Sequence, residues 1–414
     1  MQLRFEQIGA VSGQSQPPGR KRRARQSRAA NRGHAAADPG AGSETTGIGN
    51  NKGKIMGYRE LFQQIMHFGE FDQMPVIHWA TWPETLERWY QEGYPEECDP
   101  HEYFNAVPQW AKLDANLSLL PEFEEQTLEE TDDYRIFRAI DGVIQQDWKN
   151  SSCIPHYIDF TLKEAKDWPA FKERLQPDPA RIPDDLEQQI RDVDGSGLPV
   201  VIGTASMMGW IRNWMGVENM SYLMYENPEV YSDMVKTLAD LTCWSLDEIL
   251  PTARKVGLVP DLGFGWEDIC GKTGPLVSPT IFDQHVARGY RQIRDTLDSH
   301  GIHLYGLDSD GMVEPLIPNW MNAGINVMFP LEPGTWGATP ERVRERFGRE
   351  LRVLGGFDKL VLEKDHAAID AELASHVELM KQGGFILMPD HLITPGTPLA
   401  NYKYYLERVR TLRF

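Results

Sequence analysis

From Met56 onward, short apolar runs alternate with longer stretches whose apolar residues recur at helical spacing. The runs at 74–79, 199–203, 258–264, 302–307, 325–329, 351–355 and 384–388 are almost wholly apolar, as strands buried on both faces should be. Between them the spacing predicts helices over 228–250, 279–299, 312–323, 339–348, 365–382 and 398–411. Ser278-Pro279 and Thr339-Pro340 are start signals, and Pro398 stands near the start of the last helix. No Gly-rich phosphate or dinucleotide loop follows any strand, and polar residues recur after strand upon strand. The pattern therefore predicts an α/β fold of the (β/α)8 TIM-barrel kind rather than a doubly wound sheet. Residues 95–195 break the rhythm and predict a helical excursion with a hairpin around 134–148, inserted in the N-terminal half of the barrel.

Barrel chemistry gathers where the strands end, so the exit residues are the candidates. They read Trp266-Glu267-Asp268, Asp308-Ser309-Asp310-Gly311, Pro330-Leu331-Glu332, Phe357-Asp358-Lys359 and Pro389-Asp390-His391. Glu267, Asp308, Asp310, Glu332 and His391 form the predicted catalytic set. Converging like charges raise one another's pKa unless a cation, a shared proton or substrate charge compensates, and a divalent metal on Asp308, Asp310 and His391 is the simplest compensator. The alternative is structural: Asp308 or Asp310 caps a helix near Met312, and His391 bonds a loop carbonyl. His303 reads as a satisfied histidine within a barrel strand and Cys270 as a buried inert thiol. The stretch His78-Trp79-Ala80-Thr81-Trp82 serves either as a pocket wall or as core, and Met207-Met208-Gly209-Trp210 as an adaptable apolar wall.

Charge changes the picture at one end. Residues 1–55 carry ten Lys/Arg against three Asp/Glu, whereas the remainder carries 32 against 58, within a net charge of −19. A body that acidic repels polyanions, which excludes nucleic acid as its partner. The segment 1–55 has too few large apolar residues to order itself and is expected to be a disordered basic extension, with the barrel domain over 56–414. Four scattered cysteines form no CxxC pair, and no apolar run is long enough to span a membrane. With no secretory h-region at the N-terminus, a cytoplasmic enzyme is expected.

Taken together, Gly57-Tyr58-Arg59-Glu60, Trp266-Glu267-Asp268, Asp308-Ser309-Asp310-Gly311, Pro330-Leu331-Glu332, Gly355-Gly356-Phe357-Asp358-Lys359, Gly383-Gly384-Phe385, Pro389-Asp390-His391 and Asn401-Tyr402 resemble the uroporphyrinogen decarboxylase superfamily across nearly all of 56–414. That superfamily also contains cobalamin-dependent methyltransferases. The resemblance implies a (β/α)8 barrel and a homodimer. The decarboxylase branch carries an Arg-Gln-Ala-Gly-Arg stretch after the first strand; here His78-Trp79-Ala80-Thr81-Trp82-Pro83-Glu84 stands instead, without an arginine. The methyltransferase branch carries a zinc-binding His-x-Cys-Gly and a later Cys, which alignment by strand exit places on Asp308-Ser309-Asp310-Gly311 and His391. The resemblance thus implies a methyltransferase-like enzyme moving a methyl group between a small methoxy or methylamine compound and a corrinoid on a partner protein. A metal, zinc first, would be held by Asp308, Asp310 and His391, with Glu267 and Glu332 as further ligand or acid/base. Metal-free decarboxylation of uroporphyrinogen is the alternative, and a binding barrel without catalysis the third reading.

Overall fold

The computed structural model describes residues 56–149 and 155–414. The chain divides into two units, 1–55 and 56–414; the expected basic extension and Cys153 lie outside the described residues. Strand β1 (Ala111–Leu113) is followed by β2 (Gln126–Glu130), β3 (Tyr134–Arg138), β4 (Ile144–Trp148) and β5 (His156–Asp159), and then by β6 (Val200–Gly203) and β7 (Leu262–Trp266). A two-rung ladder, β8 (Cys270–Gly271) with β9 (Gly274–Pro275), precedes β10 (Tyr305–Asp308), β11 (Val327–Leu331), β12 (Arg352–Phe357) and β13 (Phe385–Pro389). Strands β1, β6, β7, β10, β11, β12 and β13 form one parallel sheet in that order, with each crossover carrying helix.

The curled sheet closes through the segment 76–82. Ile77 bridges Val107 and Thr81 bridges Ile393, both in parallel. The His78 N–H donates to the Val107 carbonyl at 3.0 Å, and the Ile393 N–H to the Ala80 carbonyl at 3.1 Å. This eighth member completes a TIM barrel, as the alternation of patterns predicts. Its strands are buried on both faces: every residue of β11 and β13 is buried. Each such Leu, Ile or Phe contributes about 1.5–3 kcal/mol by leaving water.

Each of β7, β10, β11, β12 and β13 begins later than the apolar run that announces it. Leu258, Ile302, Ile325 and Leu351 are buried, yet they lie in the helix-to-strand turns and fill the barrel's N-terminal end. The strands instead run on toward polar residues such as Asp308. Strand β1 escapes the apolar pattern altogether, because Lys112 occupies its middle. The helix Gly209–Glu226 was likewise not foreseen, and the stretch expected as one helix over 279–299 is two, Pro279–His285 and Ala287–Ser299. The Ser278 and Thr339 side chains do accept N-cap bonds, from Ile281 and Arg342. In the excursion, β3 and β4 make the expected hairpin, which β2 and β5 widen to a four-stranded antiparallel sheet.

Candidate active site

Along β7, Leu262 is fully buried, while Phe264 and Trp266 on the same face keep some exposure, so water enters the barrel from its C-terminal end. Trp110 packs on Phe264 with ring centroids 4.7 Å apart, Phe264 on Phe329 at 5.8 Å, and Phe329 on Trp79 at 4.9 Å. These four rings form an aromatic floor. Lys112 and Asp114 flank the buried Leu113 and are both reached by water, which puts them on the opposite, inward face. A Cβ added at Gly203 would lie 2.2 Å from Asp114 Oδ1, so only glycine admits that carboxylate there. The protein walls around it raise the Asp114 pKa, against the pull of Lys112 and the Gly203 N–H.

Above the floor stands a ring of carboxylates. Asp308, at the end of β10, is pushed well up, first by burial and then by Asp310 and Asp268. Its Oδ1 has no hydrogen-bond partner, and neither has Asp310 Oδ1 or Asp390 Oδ2. Asp268 is raised to about 6 by burial, with Asp310 and Glu332 adding to the rise and Arg212 opposing it; Arg212 Nη1 stands 3.4 Å from its Oδ2. Lys359 Nζ lies 3.1 Å from Glu332 Oε1 and 3.3 Å from Asp390 Oδ1. Burial disfavours that ammonium, yet Asp390 and Glu332 outweigh it and raise the pKa. Asp390 is itself raised to about 7 by burial, despite Lys359.

His391 sits between two indoles, with Trp79 at 5.8 Å edge-on and Trp82 stacked at 6.2 Å. Its Nδ1 accepts the Leu392 N–H at 2.7 Å, which leaves the ring proton of the neutral imidazole on Nε2. Nε2 points toward Asp310 Oδ2 at 3.7 Å, too far for a hydrogen bond. Asp308, Asp310, Glu332 and His391 therefore meet at one mouth. Neither aspartate caps a helix, because the next one starts at Ile317 without a side-chain cap.

Glu267 stands apart. Its Oε1 accepts from Ser206 Oγ at 2.6 Å, the Met208 N–H at 2.8 Å and the Gly209 N–H at 3.3 Å. The carboxylate thus anchors the start of the helix Gly209–Glu226, where the helix dipole favours an anion. The metal expected on Asp308, Asp310 and His391 also meets a different arrangement. Among the described residues no group of three or more His, Cys, Asp or Glu side chains is placed to hold an ion. With Nδ1 taken by Leu392 and the proton of the neutral ring on Nε2, His391 presents no lone pair to one.

The sequence model of the family described as Uroporphyrinogen decarboxylase (URO-D) matches residues 199–412, more than half of the chain. The chain belongs to the uroporphyrinogen decarboxylase family. The URO-D match covers β6 through the last helix, and so every carboxylate above except Asp114. A uroporphyrinogen decarboxylase of Crocosphaera subtropica is 22% identical over 199 residues, 48% of this chain. The chain matches only 51% of that relative's length. A methyltransferase from Methanosarcina mazei shares the fold, with a TM-score of 0.54 and 14% identity over 86% of this chain and 99% of that one.

Several residues of this URO-D barrel mouth were not in the predicted set. Lys359, Asp390 and Asp268 stand within the predicted strand exits, although the catalytic set drew only on their neighbours. Arg212 and Asp114 could not be read in this way, since the first lies on, and the second directly follows, an element the apolar pattern did not reveal. His303 is corrected: it precedes β10, is exposed, and bonds Asp298 Oδ1 at 2.9 Å at the barrel's far end. His78 turns away from the mouth to Tyr402 Oη at 2.8 Å, and burial lowers its pKa to about 3. Cys270 is a buried thiol whose pKa burial pushes up, as expected. Among the described residues no helix is long and apolar enough to cross a membrane.

Proposed function

We propose that this URO-D family member is a methyltransferase-like enzyme that moves a methyl group between a small methylamine or methoxy compound and a corrinoid or other acceptor. The observation that carries this reading is the state of the cations at the mouth. Arg212 faces Asp268, and Lys359 is shared by Glu332 and Asp390, so the protein's own carboxylates neutralise these two, while the third, Lys112, stands among Asp114 and Asp308 and is outnumbered by them. A polycarboxylate porphyrinogen would meet repulsion there, whereas a small amine or ether fits an aromatic floor under an acidic rim. Breaking a C–N or C–O bond leaves the electron pair on the heteroatom, which then takes a proton. The His391 Nε2–H, committed to no protein acceptor within hydrogen-bond distance, is positioned to hydrogen-bond that heteroatom, and Asp308, whose pKa burial and its carboxylate neighbours push well up, is the acid that can give it the proton. The methyltransferase with the same fold supports the reading at the level of architecture.

The test is an anaerobic assay with methylcobalamin, screened against methylamines and methyl ethers in both directions. Methyl transfer that His391→Gln lowers by about 100-fold is the expected result. No transfer across the panel, with release of CO2 from uroporphyrinogen III, would establish the decarboxylase reading instead.

A further inference from the structure

At the end of the barrel opposite the mouth, one phenyl ring is surrounded by three guanidinium groups. Phe68 follows the helix Tyr58–Met66 in the left-handed region, with φ of 61°, and its ring lies over Gly383 and Gly384, just before β13. A Cβ at Gly384 would come within 2.4 Å of that ring, so the glycine is what admits it. Arg349 lies 4.1 Å from the ring centroid, Arg352 at 5.2 Å and Arg344 at 5.4 Å. An aromatic ring has two electron-rich faces, so three cations exceed what it can compensate. Carboxylates do not make up the difference: among the described residues none of the three forms an ion pair, and Glu350 is near Arg352 without pairing to it. Nearby Arg342 and Arg346, by contrast, both hold Glu314, at 2.9 and 2.6 Å.

Hydrogen bonding is also incomplete. Arg344 donates through Nη2 to the Gly383 and Gly384 carbonyls at 2.9 and 3.2 Å, but its Nε and Nη1 are buried without a partner. Arg352 gives Nε to the Met66 carbonyl and Nη1 to the Glu350 carbonyl. Arg349 is exposed and makes no side-chain hydrogen bond among the described residues. Such a concentration of unpaired positive charge in a chain of net charge −19 cannot be a by-product of a basic surface.

We propose that Arg344, Arg349 and Arg352 around Phe68 form an anion site for a phosphate group, separate from the mouth. Guanidinium donors match the several acceptor oxygens of phosphate better than they match a point anion. The group could arrive as free phosphate or on a nucleotide, and the test separates these. The full chain is titrated calorimetrically, in low-salt phosphate-free buffer, with inorganic phosphate and with adenosine monophosphate. Inorganic phosphate is expected to bind one to one with a Kd on the order of 0.1–1 mM. Arg349→Gln, which removes no protein hydrogen bond, should weaken it by about 10-fold, and Arg342→Gln should leave it unchanged. Tighter binding of adenosine monophosphate than of phosphate identifies a nucleotide as the source; equal affinity identifies the free ion. No binding up to about 10 mM, or equal binding by wild type and Arg349→Gln, overturns the site.

Discussion

The excursion and the mouth both bury charge, but they treat it in opposite ways. In the excursion Arg181 is 1% exposed, and its guanidinium donates to the carbonyls of Gln176, Asn116, Ser118 and Arg174 at 2.6–2.9 Å. Four main-chain acceptors from two stretches of chain, 116–118 and 174–176, close on one cation, and burial lowers its pKa without removing its charge. At the mouth, Asp308, Asp310 and Asp390 each keep an oxygen without a partner. Fully satisfied buried charge ties a scaffold together. Charge left unsatisfied costs stability, and its persistence at the strand exits marks where a ligand's donors are meant to go.

The sharpest way to break that contrast is Arg181→Met. It strands the carbonyls of Asn116, Ser118 and Gln176, while that of Arg174 keeps the Leu120 N–H, and should destabilise the domain by about 3–5 kcal/mol in urea unfolding, with activity per folded molecule unchanged. A loss under about 1 kcal/mol would mean that Arg181 is not the tie it looks to be.

Next in size is Asp310→Asn. It should lower kcat for methyl transfer by about 100-fold while leaving stability unchanged or raised by up to about 1 kcal/mol, because one of several repelling carboxylates has gone. Equal losses of stability and activity would place Asp310 in the scaffold instead.

Satisfied and unsatisfied buried charge should also part in their response to pH. His376 is a satisfied scaffold group, with Glu341 Oε1 2.6 Å from Nδ1 and Glu372 Oε1 3.3 Å from Nε2. Burial opposes its charge, but these carboxylates raise its pKa from 6.5 to about 9. Its stabilisation is complete below pH 6.5 and is lost as pH rises through about 9. Since Glu341 is partly exposed, the loss should be on the order of 1–2 kcal/mol, absent in His376→Gln. Asp390, raised from 3.8 to about 7, has its effect complete below pH 3.8 and lost as pH rises through about 7. Melting curves of His376→Gln and Asp390→Asn across pH 4–9.5 should therefore flatten in different windows.

Smallest of all is the effect of deleting residues 1–55. The division of the chain falls at Ile55, and removal should leave activity and melting temperature unchanged. A fall of several degrees would bring the basic segment into the folded unit.

Much of the barrel was legible because parallel strands are apolar on both faces, as Phe385-Ile386-Leu387-Met388 shows, and because Ser278 and Thr339 announce their helices. The strand limits were less so, since Leu258 and Ile302 are as apolar as any strand residue while filling the turns beneath. The mouth was legible where chemistry follows a strand directly, as at Asp308, Asp310, Glu332 and His391. It was illegible where it depends on long-range placement. Nothing local shows that Glu267 turns back to a helix start, that Arg212 reaches Asp268, or that a strand with lysine at its centre belongs to the barrel.

The segment 76–82 joins its neighbours through few main-chain bonds: Val107 N–H to Val76, His78 N–H to Val107, Ile393 N–H to Ala80 and Trp82 N–H to Ile393. Between β12 and β13, by comparison, five residue pairs stand in unbroken register. The barrel is thus a stave cask with one loose seam, and Trp79, Trp82 and His391 all sit along it. In deuterium exchange the amides of His78, Trp82 and Ile393 should be labelled well before those of β13. The stave that yields first is the one that carries the two indoles flanking His391.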